Sequence, residues 1–170
     1  MKRKELSVKR VLLTEQEMEK ILNRMASEII EKAGDLKQLA IVGIRTRGVY
    51  LAERIAKRIN ESEGVKLPFG TIDIALYRDD FFKSLTAPEV GPSRIDFKVS
   101  DYNIVLVDDV LYTGRTIRAA IDAVMDYGRP KSIKLAVLID RGHRELPIQP
   151  DFAGKCAETA SNEAVAVYLK

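Results

Sequence analysis

Two adjacent carboxylates, Asp108 and Asp109, followed after three residues by Thr113-Gly114-Arg115-Thr116, are the groups in this chain best placed to do chemistry. The aliphatic run Ile104-Val105-Leu106-Val107 ahead of them reads as a short strand, buried on both faces, that stops on the acids. Beyond the Thr-Gly, Ile117, Ala120, Ile121 and Val124 recur at helical spacing, and that helix is expected to close at Gly128 with Pro130 just beyond. Such a strand-turn-helix has two chemical ends. Unpaired backbone N–H groups, the Thr113 and Thr116 hydroxyls and the positive end of the helix dipole suit a phosphate. The acids suit sugar hydroxyls, or water on a metal ion. A ribose carrying a 5′-phosphate presents both groups together. Neither Gly-x-x-x-x-Gly-Lys-Ser/Thr nor Gly-x-Gly-x-x-Gly occurs, which argues against a P-loop triphosphate site and a dinucleotide fold. The competing reading is an ordinary connection with a solvated acidic corner.

Other elements must bring partners to this corner. Leu39–Ile44 reads as a second buried strand, running into Arg45-Thr46-Arg47-Gly48 before a helix from Val49 to Asn60. A basic, Gly-containing loop between strand and helix is again an anion site, at the carboxyl edge where open α/β sheets bind ligands. Ile133–Ile139 is a third parallel-type strand and delivers Asp140-Arg141-Gly142-His143-Arg144. Alternation of strands and helices implies a doubly wound, mainly parallel α/β sheet with three charged loops on one rim.

The remaining chain frames that rim. Thr14 with Glu17 makes a capping box, and Met18, Ile21, Leu22, Met25, Ile29 and Ile30 form the apolar face of a helix ended by Gly34. Met1-Lys2-Arg3-Lys4 reads as a solvated tail, and Leu6–Leu13 and Thr71–Tyr77 as strands. Residues 79–103 lack periodicity, and so long a connection in a compact domain reads as a lid, with an extended β-hairpin as the competing structure. Phe81 and Phe82 would anchor that lid or bury elsewhere, and Arg78 at its base is a candidate phosphate contact.

A length of 170 residues suits a single domain spanning 1–170, and 46% hydrophobic with 31% charged residues is a globular composition. A net charge of +3 is too small by itself to argue for nucleic acid. The lone Cys156 excludes an internal disulfide framework and reads as a small buried hydrophobe in a reducing compartment. No secretory h-region and no run of about 18 apolar residues occurs, so a cytoplasmic location with no membrane partner is expected.

Residues 104–116 resemble the phosphoribosyl pyrophosphate (PRPP) signature of type I phosphoribosyltransferases. The wording Val107-Asp108-Asp109-Val110-Leu111-Tyr112-Thr113-Gly114-Arg115-Thr116, then Asp140-Arg141-Gly142-His143-Arg144-Glu145-Leu146-Pro147, resembles one branch more narrowly, the PyrR family of bifunctional pyrimidine-operon regulators and uracil phosphoribosyltransferases. Gly43–Ala52 and Asp73–Asp80 extend the likeness, which covers most of residues 14–156. The resemblance implies the type I phosphoribosyltransferase fold, with a core of about 14–145 and a small hood from the N- and C-terminal segments, including a strand at Val165–Tyr168.

By the same resemblance, residues 108–116 with Thr46, Arg47 and Arg78 would bind PRPP or UMP, and Asp108, Asp109 and Arg47 would be catalytic. Mg²⁺ would enter on PRPP and meet Asp108 or Asp109 through water. Related loops carry a non-proline cis peptide, expected here at Thr46-Arg47. Arg141 is the candidate for the uracil base; His143 is either a general base or a surface residue. Purine-using relatives place an acid where this chain has Tyr112, which favours a pyrimidine.

The implied reaction joins uracil to PRPP, giving UMP and pyrophosphate. A UMP-responsive contact with a pyr mRNA leader would use Arg24, His143, Arg144 and Lys155, although Asn23, Ser27 and Gln149 depart from the RNA-binding pattern. Catalysis without RNA regulation, or transfer to another nucleobase, stays open. A homodimer or homotetramer is implied.

Overall fold

The computed structural model describes residues 7–77 and 91–169. The expected basic tail, Arg78, Phe81, Phe82 and residues 79–90 of the expected lid lie outside the described residues. Helices Glu15–Ala33 (α1), Arg47–Glu63 (α2) and Arg115–Met125 (α3) alternate with strands Leu39–Ile44 (β1), Phe69–Ile72 (β2), Arg94–Ile95 (β3), Asn103–Leu111 (β4), Ser132–Asp140 (β5) and Phe152–Cys156 (β6). The strands form one sheet in the order β3-β2-β1-β4-β5-β6. All neighbours are parallel except β2 and β3. The doubly wound expectation therefore holds.

Alternation along the strands supplies both faces. Ile41, Val105, Val107 and Leu138 pack with Leu22, Met25 and Ile29 of α1 and Leu51, Ile55 and Ile59 of α2. Ala40, Val42, Leu106 and Val137 point the other way, onto Ile117, Ala120 and Val124 of α3. Each fully buried aliphatic side chain contributes about 1.5–3 kcal/mol, which fixes the register. The capping box forms as expected, Glu17 N donating to Thr14 Oγ1 at 3.3 Å and Thr14 N to Glu17 Oε2 at 2.7 Å.

Several boundaries differ from the sequence reading, each for a physical reason. The central strand does not stop on the acids; pairing with β5 carries it to Leu111, opposite Asp140. The expected strand Thr71–Tyr77 is shorter and earlier. Asp73 ends it, its carboxylate accepting from Ala75 N at 2.8 Å and Gly91 N at 2.7 Å, and a 3₁₀ turn follows over Ala75–Tyr77. The last ten residues of the expected lid belong to the body: β3 pairs with β2, and Val99 is fully buried.

No strand forms over residues 7–13 or 165–168. Val8 and Val11 are 82% and 74% exposed, and in the first of these segments only Leu12 and Leu13 pack against the core. Side chains tie the two chain ends together instead: Lys9 to Glu163, Arg10 Nη2 to Glu158 O at 2.7 Å, and Lys155 Nζ to Leu12 O at 2.9 Å. Cys156 is exposed at the end of β6, not buried.

Candidate active site

The carboxyl ends of β1, β4, β5 and β6 finish together, with Gly43 paired to Val107, Leu111 to Asp140 and Asp140 to Cys156. The charged loops therefore share one rim. On its β1 side, Arg45 is exposed and donates Nε to Pro92 O at 3.1 Å. The non-proline cis bond lies at Arg45-Thr46, one residue before the expected place; Thr46 has helical φ and ψ and Arg47 begins α2. Gly48 is buried in the first turn of α2, where an added Cβ would stand 2.5 Å from Val107 O and 3.1 Å from Asp108 Cα. Only a glycine lets that turn seat against the acids.

Asp108 is 6% exposed and Asp109 half-buried. Asp108 Oδ1 accepts from Asp109 N at 2.9 Å, and Asp109 Oδ1 from Val110 N at 2.8 Å. Arg47 Nη1 stands 3.9 Å from Asp109 Oδ2, across the rim. That separation is too long for a hydrogen bond, so the half-exposed guanidinium is attracted by charge yet left able to turn to an anion.

Burial, with the neighbouring Asp109 charge, pushes the Asp108 carboxyl well above its ordinary value of 3.8. The folded state then holds that proton more tightly than the unfolded chain, so stability falls as pH rises from 3.8 through the raised value. Asp108→Asn is accordingly expected to melt above the natural chain at about pH 8, with the gap closing towards about pH 4. A melting difference that does not change with pH contradicts a buried charge there.

The Thr-Gly turn follows. Gly114 has a left-handed φ of 92° and precedes α3, whose first turn contains the half-buried Thr116. Thr113 Oγ1 accepts from Arg115 N at 3.3 Å, and the Arg115 side chain pairs with Glu145. Val110 and Leu111 are not part of a ligand loop as expected, since both are paired to β5 and the Leu111 side chain is 1% exposed in the core.

The β5 loop differs most from expectation. Arg141 is buried, its Nε donating to Thr159 Oγ1 at 3.0 Å and its Nη2 to Ala160 O at 3.1 Å and Glu163 O at 2.7 Å, so these donors clamp the C-terminal segment and do not face a base. Its guanidinium carbon lies 4.0 Å over the Tyr112 ring. His143 sets its ring edge against Tyr112 at 5.8 Å between centroids and donates Nε2–H to Thr159 O at 2.5 Å. That bond occupies the nitrogen as a donor. His143→Ala is expected to keep kcat within about twofold of the natural chain; a loss of about a hundredfold would mark a general base.

Arg144 is half-buried. Its ion pair with Asp140 is 14% exposed on both sides. Arg24, on α1, bonds Glu28 and Gly154 O, whereas Lys155 is exposed on β6. The close approach of Gly48 to the acids was not anticipated from the sequence, where the available signal is a glycine at the very start of a helix.

Two basic and hydroxylated turns facing an acid pair across a parallel sheet edge define a phosphoribosyltransferase-type protein, and the phosphoribosyl transferase domain family matches residues 10–169. The fold is shared with a hypoxanthine phosphoribosyltransferase of Staphylococcus aureus, at TM-score 0.68 and 19% identity over 90% of this chain and 80% of that one. A hypoxanthine-guanine phosphoribosyltransferase of Bacillus anthracis gives TM-score 0.70 and 16% identity over 89% and 86%. Sequence relatives are nearer. The bifunctional protein PyrR of Picosynechococcus sp. is 55% identical over 94% of this chain and 89% of its own length, and that of Deinococcus radiodurans 50% over 95% and 88%. The chain belongs to the PyrR family of phosphoribosyltransferases.

Proposed function

We propose that the protein is a uracil phosphoribosyltransferase, joining uracil to PRPP with release of pyrophosphate, and that it reads UMP as a regulator of pyrimidine genes in the cytoplasm. The observation that carries the catalytic reading is the acid pair at the end of β4 with Arg47 standing 3.9 Å from Asp109 beside the Thr-Gly turn. The relatives named as bifunctional PyrR proteins support the pairing of catalysis with regulation.

In the reaction the bond from ribose C1 to the diphosphate oxygen breaks with its electron pair going to that oxygen, a bond from uracil N1 to C1 forms, and the N1 proton passes to the departing diphosphate or to water. Positive charge builds on the sugar and negative charge on the departing diphosphate. The N–H groups at the head of α3 hold the 5′-phosphate, Asp108 and Asp109 take the ribose hydroxyls and favour the cationic sugar, and Arg47 with Thr46 neutralises the diphosphate. Two carboxylates, with Asp109 Oδ2 unengaged by backbone, fit an ion that keeps mostly water and substrate oxygens, and among the described residues no group of three or more ligands forms a cage. Asp108 and Asp109 would hold Mg²⁺ through water, and Mg²⁺ supplies charge neutralisation on the diphosphate. Among the described residues no helix is long and apolar enough to cross a membrane.

Steady-state assay of PRPP with uracil, orotate and hypoxanthine tests the reading: turnover with uracil alone is expected, and preference for either other base overturns it. A second reading, catalysis without RNA regulation, is favoured by the internal partners of the three residues that depart from the RNA-binding pattern. Asn23 Oδ1 accepts from Arg58, Ser27 Oγ donates to Asn23 O, and Gln149 Oε1 accepts from the half-buried Arg144. A gel shift with a pyr leader transcript, with and without UMP, separates the two; no shift even at low salt leaves the enzyme alone. The protein works as a homodimer or homotetramer on this proposal, which sedimentation checks.

A further inference from the structure

A turn that aims its N–H groups at an anion must turn its carbonyls the other way, and those carbonyls need donors. Here one segment supplies them all in succession. Leu111 O accepts from Arg141 N at 3.0 Å, and Thr113 O accepts from Glu145 N at 2.9 Å and Leu146 N at 3.1 Å. Between these, Tyr112 O accepts from Arg144 Nη1 at 2.9 Å. The Arg144 guanidinium is itself held, Nη2 donating to Asp140 Oδ2 at 2.7 Å and Nε to Ile148 O at 2.8 Å. Leu146 and Ile148 close against Gly114, each with its Cβ 3.4 Å from where a Cβ on that glycine would stand.

We propose that Arg144 is a positioning residue for the phosphate turn: by fixing the Tyr112 carbonyl outward, it keeps the N–H groups that follow aimed at the 5′-phosphate of the substrate. The inference rests on the phosphoribosyl reading of the site. Tyr112 is the one residue in this run whose carbonyl is held by a side chain and not by backbone, so the brace has a single point at which substitution can release it. The three guanidinium nitrogens reach five separate acceptors, the other two being Gly142 O at 3.4 Å and Gln149 Oε1 at 3.3 Å. A lysine has one ammonium on a flexible stem and keeps the charge beside Asp140 without spanning Tyr112 and Ile148. A charge that the sequence suggests for RNA thus serves the catalytic rim from behind.

The test compares the natural full chain with Arg144→Lys and Asp140→Asn, by steady-state kinetics with PRPP and uracil, calorimetric titration with ribose 5-phosphate, and thermal melting. Arg144→Lys is expected to raise KM for PRPP about tenfold and weaken ribose 5-phosphate by a similar factor, with KM for uracil within about twofold. Asp140→Asn keeps the guanidinium but loosens its anchor, and a rise of about threefold in KM for PRPP is expected. An unchanged PRPP constant in folded Arg144→Lys protein overturns the proposal, as does an equal rise for both substrates, which is general loosening. Should Arg144→Lys fail to fold, Asp140→Asn decides by the same criteria. A natural chain that binds no ribose 5-phosphate removes the phosphoribosyl site and the brace with it; a natural chain that binds it, with variants that bind equally, removes the brace alone.

Discussion

Asp109→Asn protein is expected to lose about a hundredfold or more in kcat while holding ribose 5-phosphate within a few-fold of the natural affinity. The substitution is nearly isosteric, and its side-chain oxygen can still accept from Val110 N, the bond that Asp109 Oδ1 makes at 2.8 Å. What it removes is the charge, on a half-buried side chain at the strand end that faces Arg47 at 3.9 Å. In so shielded a place a carboxylate interacts more strongly with a developing cation than it does in water. The phosphate is held elsewhere, by the turn before α3, so the loss falls on turnover and not on binding. Measured kcat, KM for PRPP and ribose 5-phosphate affinity check this; kcat within about threefold of natural would remove Asp109 from the chemistry.

Gly48→Ala is expected to be the most damaging single methyl that can be added at the rim. The new carbon would lie 2.5 Å from Val107 O, 3.1 Å from Asp108 Cα and 3.3 Å from Asp108 Oδ1. Two of those atoms are backbone of the central strand, so α2 must move off β4. Overpacking of this kind costs about 1–3 kcal/mol. The displacement also separates Arg47 from the acids, so kcat/KM should fall about a hundredfold, since misplacements of about an ångström carry that penalty. Gly64→Ala is the control. That glycine has a left-handed φ of 63° with nothing within 4 Å, so substitution strains the end of α2 and lowers the melting temperature without touching turnover. Equal activity in the two variants contradicts the seating of α2 on the acid pair.

The parts of the molecule that were legible in the sequence are those governed by local pattern. Leu39–Ile44 is an aliphatic run interrupted only by Gly43 and is a strand; Thr14 and Glu17 stand three apart and cap α1; Thr113-Gly114 turns into α3. The corner that carries the chemistry was legible because strand, acids and turn are contiguous. Illegible were the properties decided by residues far away in the chain. Whether β4 ends at Asp109 or Leu111 depends on β5, not on β4. Arg141 and Arg144 look alike as exposed loop cations in sequence, yet the Thr159 hydroxyl with the Ala160 and Glu163 carbonyls captures one and the Tyr112 and Ile148 carbonyls the other. Charge is visible in a sequence, and the acceptor that will hold it is not.

A phosphorylated ribose is expected to dock where β4 gives way to α3. In a crystal structure of the chain with UMP, the phosphate oxygens should accept from backbone N–H groups of residues 113–116, with the ribose hydroxyls against Asp108 and Asp109. A nucleotide bound elsewhere while that corner stands empty, or a phosphate held only by surface side chains, would contradict it.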